Sequence, residues 1–475
     1  MSELHDLTML EQAEAIRRRE VSPVDLVEHY LDRIERHNET VGAFVHVAPD
    51  QARAAAKDAE SAVTSGAELP PLHGVPTAIK DLYLTADMPT GFGTGAFAPQ
   101  ELGIDEAFVT KLRAAGMISL GKTATPEFGA PCYTEPEGHA PARTPWDLER
   151  SAGGSSGGAG TAVASGLVPA APGSDGGGSI RIPSSVNGLF GIKTSRGRVS
   201  AAPTSSEISG LSVHGPIART VRDAAALLDA MAGPSTQDWI WQAPPAGTFL
   251  AACDDEPKGL RIGRYITPAV AGAVVHPDCV AAYEHASTLL EGLGHDVEDF
   301  ATSFEPGLIS LFENVWAAEF ASLPFPKELD PQMRPLTRWL RERGYALSAT
   351  DFYAALGGLR SRARMEIERS ATYDAVLTPT LAQPPAMVGG LRNDDDPAQD
   401  FENQKRFTPF TAPYNMSGQP AVSIPLHWND SVDGKGGLPI GIQLIGRPGD
   451  EVTLLRLAAQ IEAAEPWAHR KPPIW

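Results

Sequence analysis

Cysteine is scarce in this chain, with three in 475 residues, at Cys132, Cys253 and Cys279. Their odd number and wide spacing argue against a disulfide framework and suit a reducing cytoplasm. No Cys-x-x-Cys pair and no His-Glu-x-x-His helix is present, which argues against a zinc enzyme and leaves no metal site to name. Positive charge is also short: 39 Lys and Arg face 59 Asp and Glu, a formal charge of −20. Phosphate recognition wants a basic surface, so nucleic acid is not an expected partner. The acidic residues are spread out. Only Asp394-Asp395-Asp396 forms a run, and no calcium-ligand pattern follows it, so it reads as a solvated loop. Long apolar runs are missing. The start, Met1-Ser2-Glu3-Leu4-His5-Asp6, has no apolar signal core. Ser151 to Ser174 is uncharged and long enough to span a bilayer, but its Gly, Ser and Pro content reads as a buried core segment under a site instead. Internal repeats and low-complexity linkers are absent too, so the whole chain, 1–475, is read as one unit.

What is present is an ordinary globular composition, 42% hydrophobic and 21% charged, in a chain long enough for a large core. Apolar residues at helical spacing predict helices over Leu7–Arg19, Val24–His37 and Gln51–Thr64, the second started by Ser22-Pro23. Short apolar runs bounded by glycine predict strands at Val75–Lys80 and Met117–Leu120, with a helix from Glu106 to Ala115 between them. Further helices are expected at Ala159–Gly166, Val221–Met231, His276–Gly292 and Thr453–Glu465. Further strands are expected at Leu260–Tyr265, His295–Phe300 and Ala375–Pro379. Residues 304–370 read as mostly helical. Alternating strands and helices point to an α/β protein with a parallel or mixed sheet.

The most informative stretch lies between Arg150 and Ile182. Gly153-Gly154-Ser155-Ser156-Gly157-Gly158 and Asp175-Gly176-Gly177-Gly178-Ser179-Ile180-Arg181 set serines in two glycine-rich turns. Glycine lets backbone approach another group closely, so such turns can set hydroxyls and bare N–H groups against a substrate. Two better-known motifs fail on context. Gly116 to Thr123 matches the phosphate-loop pattern G-x4-G-K-[ST], but a helix precedes it, a strand fills its loop, and Pro126 disfavours the helix that should follow. Gly153 to Gly157 matches the nucleophile elbow G-x-S-x-G, but Arg150-Ser151-Ala152 supplies no strand before it. His295 and His427 are the histidines a triad could draw on, and neither sits in an informative motif.

These turns resemble those of the amidase signature family of serine hydrolases. Other segments carry the resemblance in the expected order: Gly74 to Asp81, Gly121-Lys122-Thr123 with Pro126 to Gly129, Asn187 to Lys193, Gly215 to Thr220, Gly418 to Ala421, and Gly437 to Gln443. The similarity weakens between about 235 and 370. It implies one large α/β domain with a central mixed, twisted sheet flanked by helices, in which the helical region around 304–370 covers the site. It further implies a Lys80–Ser155–Ser179 relay. Ser179 is then the nucleophile, Ser155 the bridging serine after a cis peptide bond, and Lys80 a base that works only when neutral. Periodicity alone would leave Lys80 solvated; the resemblance reverses that, since burial at the end of an apolar strand depresses a lysine pKa.

The resemblance also assigns Gly176, Gly177 and Gly178 to the oxyanion hole, with Asp175 and Arg181 pinning the turn and Ser156 in support. Relatives often carry Thr or Ile where this chain has Gly176, so a less stiff loop is expected. Phe128, Ala130, Cys132 and Tyr133 align with a segment that lines the acyl side in relatives. Trp316, Phe320, Trp239 and Trp241 are candidate aromatics for the pocket, although at such spacing aromatics also build cores. The implied activity is hydrolysis of linear aryl or alkyl amides through an acyl-enzyme, with esters and carbamates as further small-molecule substrates. No cofactor, nucleic acid or membrane is implied, and the protein would act as a monomer or homodimer in the cytoplasm. Two other readings stand beside it. One is the amidotransferase subunit that acts on charged tRNA, whose relatives usually have Asn after the Lys-Asp pair, where this chain has Leu82. The other is a non-catalytic binding subunit on the same fold, against which the intact Lys80, Ser155 and Ser179 set argues.

Overall fold

A computed structural model describes residues 3–205, 208–429 and 437–475. Its backbone is organised by two sheets. The smaller contains β1 (Phe44–Val47), β2 (Pro76–Lys80) and β3 (Ile118–Thr123) in the order β1-β3-β2, with β3 antiparallel to β1 and parallel to β2. The larger contains β4 (Ala170–Asp175), β5 (Phe190–Lys193), β6 (Val213–Ala218), β7 (Arg261–Arg264), β8 (Asp296–Asp299), β9 (Ala375–Pro379), β10 (Ala421–Trp428) and β11 (Pro439–Gly446). Its order is β4-β6-β5-β10-β11-β9-β7-β8. Neighbours from β4 to β9 run antiparallel, and β9-β7-β8 are parallel, so the sheet is mixed. The fold is the expected α/β type.

Chemistry of the termini explains where the helices start and stop. Pro23–Val41 begins at Ser22, whose hydroxyl accepts from the N–H groups of Val24 and Asp25, with Pro23 in the first turn, where its missing donor costs nothing. Val221–Met231 is capped by Thr220, which accepts from Asp223 N. Helices and strands cover one another in a core running from Met9 through Leu228 to Ile461, so the central strands are buried on both faces.

The Ser151–Ser174 segment is buried throughout. It forms the eight-residue helix Gly157–Ala164 and then β4, the edge strand of the large sheet. No helix among the described residues is long and apolar enough to cross a membrane. The segment's glycines reflect close backbone packing: a Cβ on Gly158 would lie 2.3 Å from Ala124 N and 2.6 Å from Ala43 O. Thr77 Oγ1 donates to Ala170 O at 3.0 Å, so β2 lies beside β4 although the two belong to different sheets. That side-by-side placement brings the end of β2 to the end of β4.

A second apolar cluster joins the helices Gly307–Ala321, Pro335–Ala346 and Ala349–Ser370 to the loops around Phe128 and Phe410. The helix Gly307–Ala321 is fixed from behind. Arg341 is fully buried and donates to Phe320 O (2.9 Å), Phe325 O (3.1 Å) and Asp330 Oδ1 (2.7 Å). Gly344 lies so close that a Cβ there would stand 2.1 Å from Ala317 O.

Candidate active site

Lys80 is the last residue of β2 and is fully buried. Its Nζ lies 2.7 Å from Ser155 Oγ, 3.0 Å from Ser156 Oγ and 2.8 Å from Ser174 Oγ. Among the described residues no carboxylate lies within ion-pair distance of it. Burial drives its pKa well below the ordinary lysine range, against the pull of the Asp175 carboxylate, which favours the ammonium.

The hydrogen bonds around this amine can be assigned by counting protons. Ser156 donates its hydroxyl proton to Ser174 O at 3.2 Å, so toward Lys80 it accepts. A neutral amine has two protons and one lone pair. Those two protons and the lone pair are shared among the hydroxyls of Ser155, Ser156 and Ser174. The peptide bond before Ser155 is cis.

The second turn is built on Asp175, which ends β4 and has no exposed surface. Its Oδ1 accepts from Gly178 N (2.7 Å), Arg181 Nη2 (2.8 Å) and Asn415 Nδ2 (2.8 Å). Its Oδ2 accepts from Ile180 N (3.2 Å), Arg181 N (3.4 Å) and Arg181 Nε (2.9 Å). Burial alone would raise this carboxyl, but Arg181, Lys193 and Asn415 hold it down to about 2. Arg181 reaches on to Thr411 O, Gln443 Oε1 and Asn415 Oδ1, which tie the turn to β11 and to the helix Ala412–Ser417. Thr411 Oγ1 donates to Gly177 O at 2.6 Å.

This network sets Gly178 apart from Gly176 and Gly177. The Gly178 N–H is committed to Asp175, so it shapes the turn instead of facing a substrate. The N–H groups of Gly176, Gly177 and Ser179 make no hydrogen bond within the described residues. Ser179 is half-buried, and its carbonyl accepts from Ser156 N at 3.3 Å, which joins the two serine turns.

An open cleft of roughly 620 Å³ lies over Ser179 and Gly177. Ala130, Cys132 and Trp316 line it, with Phe312, Ile309 and Phe401 beside them. Two residues expected there are elsewhere. Phe128 takes a left-handed turn at φ 49° and packs among Phe92, Phe97 and Phe325. Tyr133 turns away to donate to Asp400 Oδ2 at 2.7 Å, and its ring packs with Ile182 and Val186. Asp400 and Gln404 matter to the cleft in a way the sequence did not signal. Gln404 Oε1 accepts from Cys132 N at 3.0 Å and, with Asp400, fastens the helix Pro397–Phe407 to the wall at Pro131 and Cys132. Trp239 and Trp241 are exposed and do not line the cleft, and Phe320 lies behind Trp316.

Neither the lysine of the phosphate-loop pattern nor the candidate triad histidines line the cleft. Lys122 is buried and donates to Tyr83 O (2.7 Å) and Thr90 Oγ1 (2.6 Å). His295 is held by Leu260 N and Gln460, and neither it nor His427 lines the cleft. The one cluster of potential metal ligands among the described residues is Glu3, His5 and His29, none of which lines the cleft. Behind Lys80, His214 Nδ1 lies 2.8 Å from Tyr83 Oη; burial and the nearby Lys80 push this imidazole down to about 4.

Residues 25–455 match the model of the amidase family. A putative amidase of Synechocystis sp. is 37% identical over 460 residues, covering 96% of this chain and 88% of that protein. The structure of a 6-aminohexanoate cyclic dimer hydrolase superposes with a TM-score of 0.89 at 30% identity, over 100% of both chains. The structure of a bacterial aryl acylamidase belonging to the amidase signature enzymes superposes at 0.87 and 27% identity, over 98% of both chains.

Proposed function

The chain belongs to the amidase signature family, whose enzymes hydrolyse amide bonds, and from that premise we propose that it cleaves linear amides with an apolar acyl group through an acyl-enzyme at Ser179. One observation carries the proposal. Lys80 is a buried amine whose only close partners among the described residues are serine hydroxyls, and burial keeps it available as a base.

The reaction runs as two proton relays. Ser179 Oγ attacks the amide carbon and forms the C–O bond. Its proton passes to Ser155 as the Ser155 proton passes to the Lys80 lone pair. The negative charge gathering on the carbonyl oxygen is met by the free N–H groups of Gly176, Gly177 and Ser179; one such donor contributes about 3–4 kcal/mol in the transition state. The Lys80 ammonium then returns its proton through Ser155 to the leaving nitrogen, and the C–N bond breaks. Water repeats the sequence on the acyl-enzyme and releases the acid and Ser179. Esters and carbamates share the tetrahedral chemistry and are included in the substrate range.

The cleft supports the apolar acyl group. Its wall at Phe312, Trp316, Ile309 and Val270 is hydrophobic, and the one cation that lines it among the described residues, Lys405, is paired with Glu313 and Glu402. The test is to inactivate the protein with a fluorophosphonate and map the adduct by mass spectrometry, alongside a hydrolysis screen of matched anilides, nitrophenyl esters and carbamates. The proposal requires the adduct on Ser179 and turnover of apolar anilides. An adduct on another serine, with Ser179→Ala fully active, overturns it.

A further inference from the structure

Gly176 and Gly178 are glycines for different reasons. Gly178 has φ +136°, and a Cβ there would lie 2.5 Å from Thr411 Oγ1 and 2.7 Å from Ile182 Cδ1, so both backbone and space demand it. Gly176 has no positive φ, so its backbone would accept any residue. What crowds a side chain there is an indole: a Cβ on Gly176 would fall 3.0 Å from Trp316 Cη2 and 3.1 Å from Cζ3. The next atom, Ser212 Oγ, is at 3.6 Å, an ordinary contact. Gly177 faces the neighbouring ring, with Phe312 Cζ 3.7 Å from the Cβ position.

The two rings act together. Phe312 and Trp316 are four residues apart on the helix Gly307–Ala321, stacked with centroids 5.5 Å apart at 18°, and Phe320 continues the row at 5.3 Å from Trp316. The helix cannot easily retreat. Buried Arg341 holds its C-terminal end at Phe320 O, and Glu313 on the same helix pairs with both Arg343 and Lys405. The same two rings that line the cleft therefore occupy the space beside the Cα atoms of Gly176 and Gly177.

We propose that Trp316 is the positioning residue of the oxyanion turn, with its indole filling the space of the missing Gly176 side chain and also setting how large an acyl group fits against Ser179. The inference rests on Ser179 being the nucleophile. It makes the sizes of residues 176 and 316 complementary: a larger residue at 176 is tolerated only when the ring at 316 is smaller. The loop is thus stiffened by a packed ring where a side chain of its own could have served.

A double-mutant cycle tests this with Gly176→Ala, Trp316→Ala, the pair, and Trp316→Phe, each assayed on acetyl and bulkier acyl anilides and each labelled with fluorophosphonate. Gly176→Ala is expected to lower kcat about tenfold, because displacing a positioned group by a fraction of an ångström is costly. Trp316→Ala should lower kcat on the acetyl anilide by a similar factor while shifting kcat/KM about tenfold toward bulkier acyl groups. Adding Gly176→Ala to Trp316→Ala should cost no more than about threefold, a strong departure from additivity. Trp316→Phe, which keeps a ring in place, should stay within about threefold of wild-type kcat. Wild-type kcat in Gly176→Ala overturns the proposal, as does a double mutant whose loss is the product of the two single losses. If those results come while Ser179 still takes the label, only this inference falls. If wild-type Ser179 takes no label, the functional reading beneath it falls first.

Discussion

Replacing Asp175 by Asn removes one charge and changes almost no volume, yet it should be among the most damaging single substitutions near the site. Each carboxylate oxygen accepts three N–H donors. An Asn in either orientation would turn its NH2 group toward three other donors, so no flip relieves it. Arg181, with no exposed surface, would lose its counter-charge, and breaking a buried pair by removing one partner costs about 3–5 kcal/mol. The carboxyl supplies an independent figure. A fall from 3.8 to about 2 on folding corresponds to roughly 2–3 kcal/mol at neutral pH, consistent with the lower end of that range. The sign follows from the depressed value: this stability is present above about pH 4 and is lost as pH falls toward about 2, and the Asn variant should lack that acid-dependent loss. Activity should fall about 10²–10³-fold in kcat, since the freed Gly178 N–H no longer shapes the oxyanion turn. A second effect has the opposite character. Asp175 is the charge that favours the Lys80 ammonium, so its removal lowers the Lys80 pKa further and moves the acid limb of the residual kcat/KM profile to lower pH. Urea unfolding and a pH–rate series on one anilide measure all of this. A variant destabilised by less than about 1 kcal/mol, with kcat within twofold of wild type, would refute the claim that Asp175 holds the turn.

Three further outcomes are expected. Lys80→Met should abolish anilide turnover and reduce the rise of stability with pH below the ordinary lysine range. Neutral burial of a lysine makes the unfolded chain bind more protons in that range, so wild-type stability should rise with pH there, as unfolding at several pH values would reveal. Gly178→Ala should cost about 1–3 kcal/mol in thermal unfolding and most of the activity, because φ +136° and the nearby Thr411 hydroxyl both oppose a Cβ; a near-wild-type melting temperature would contradict this. ATP and GTP should show no binding by calorimetry, and Lys122→Ala should lower stability instead, since its ammonium is spent on Tyr83 O and Thr90; micromolar nucleotide affinity would show otherwise.

The readable parts of the sequence were those whose information is local. The helix Val221–Met231 and the strand Ala375–Pro379 have the predicted bounds, because periodicity and flanking breakers lie within the element. The strand ending at Lys80 was likewise visible. The β4–β6 end of the large sheet was not. β4 and β6 contain Pro and Gly, are buried along their whole length, and so show no alternation to read. Serine and glycine turns announced Ser155, Ser156 and Ser179, yet Ser174 gave no sign that it would meet Lys80, 94 residues away in the chain. Asn415, Thr411 and Gln443 support Asp175 and Arg181 from more than 200 residues downstream, where composition says nothing about contact. Phe128 and Tyr133 show the reverse limit: a segment can run along a cleft wall while single side chains turn to a neighbouring core. The expectation of a looser turn at Gly176 follows from the Thr or Ile that relatives carry there, and the ring of Trp316 that packs on it arrives from a distant helix.

The central claim is that a neutral Lys80 moves the proton of Ser179 through Ser155. It is tested most directly by comparing kcat/KM for a matched anilide and nitrophenyl ester in wild type and Lys80→Ala. An amine leaves only when protonated, whereas nitrophenolate leaves without help. The account predicts that the variant loses anilide hydrolysis nearly completely and ester hydrolysis much less, and that Lys80→Arg restores neither, because arginine stays protonated. Near wild-type rates on both substrates in Lys80→Ala would contradict it.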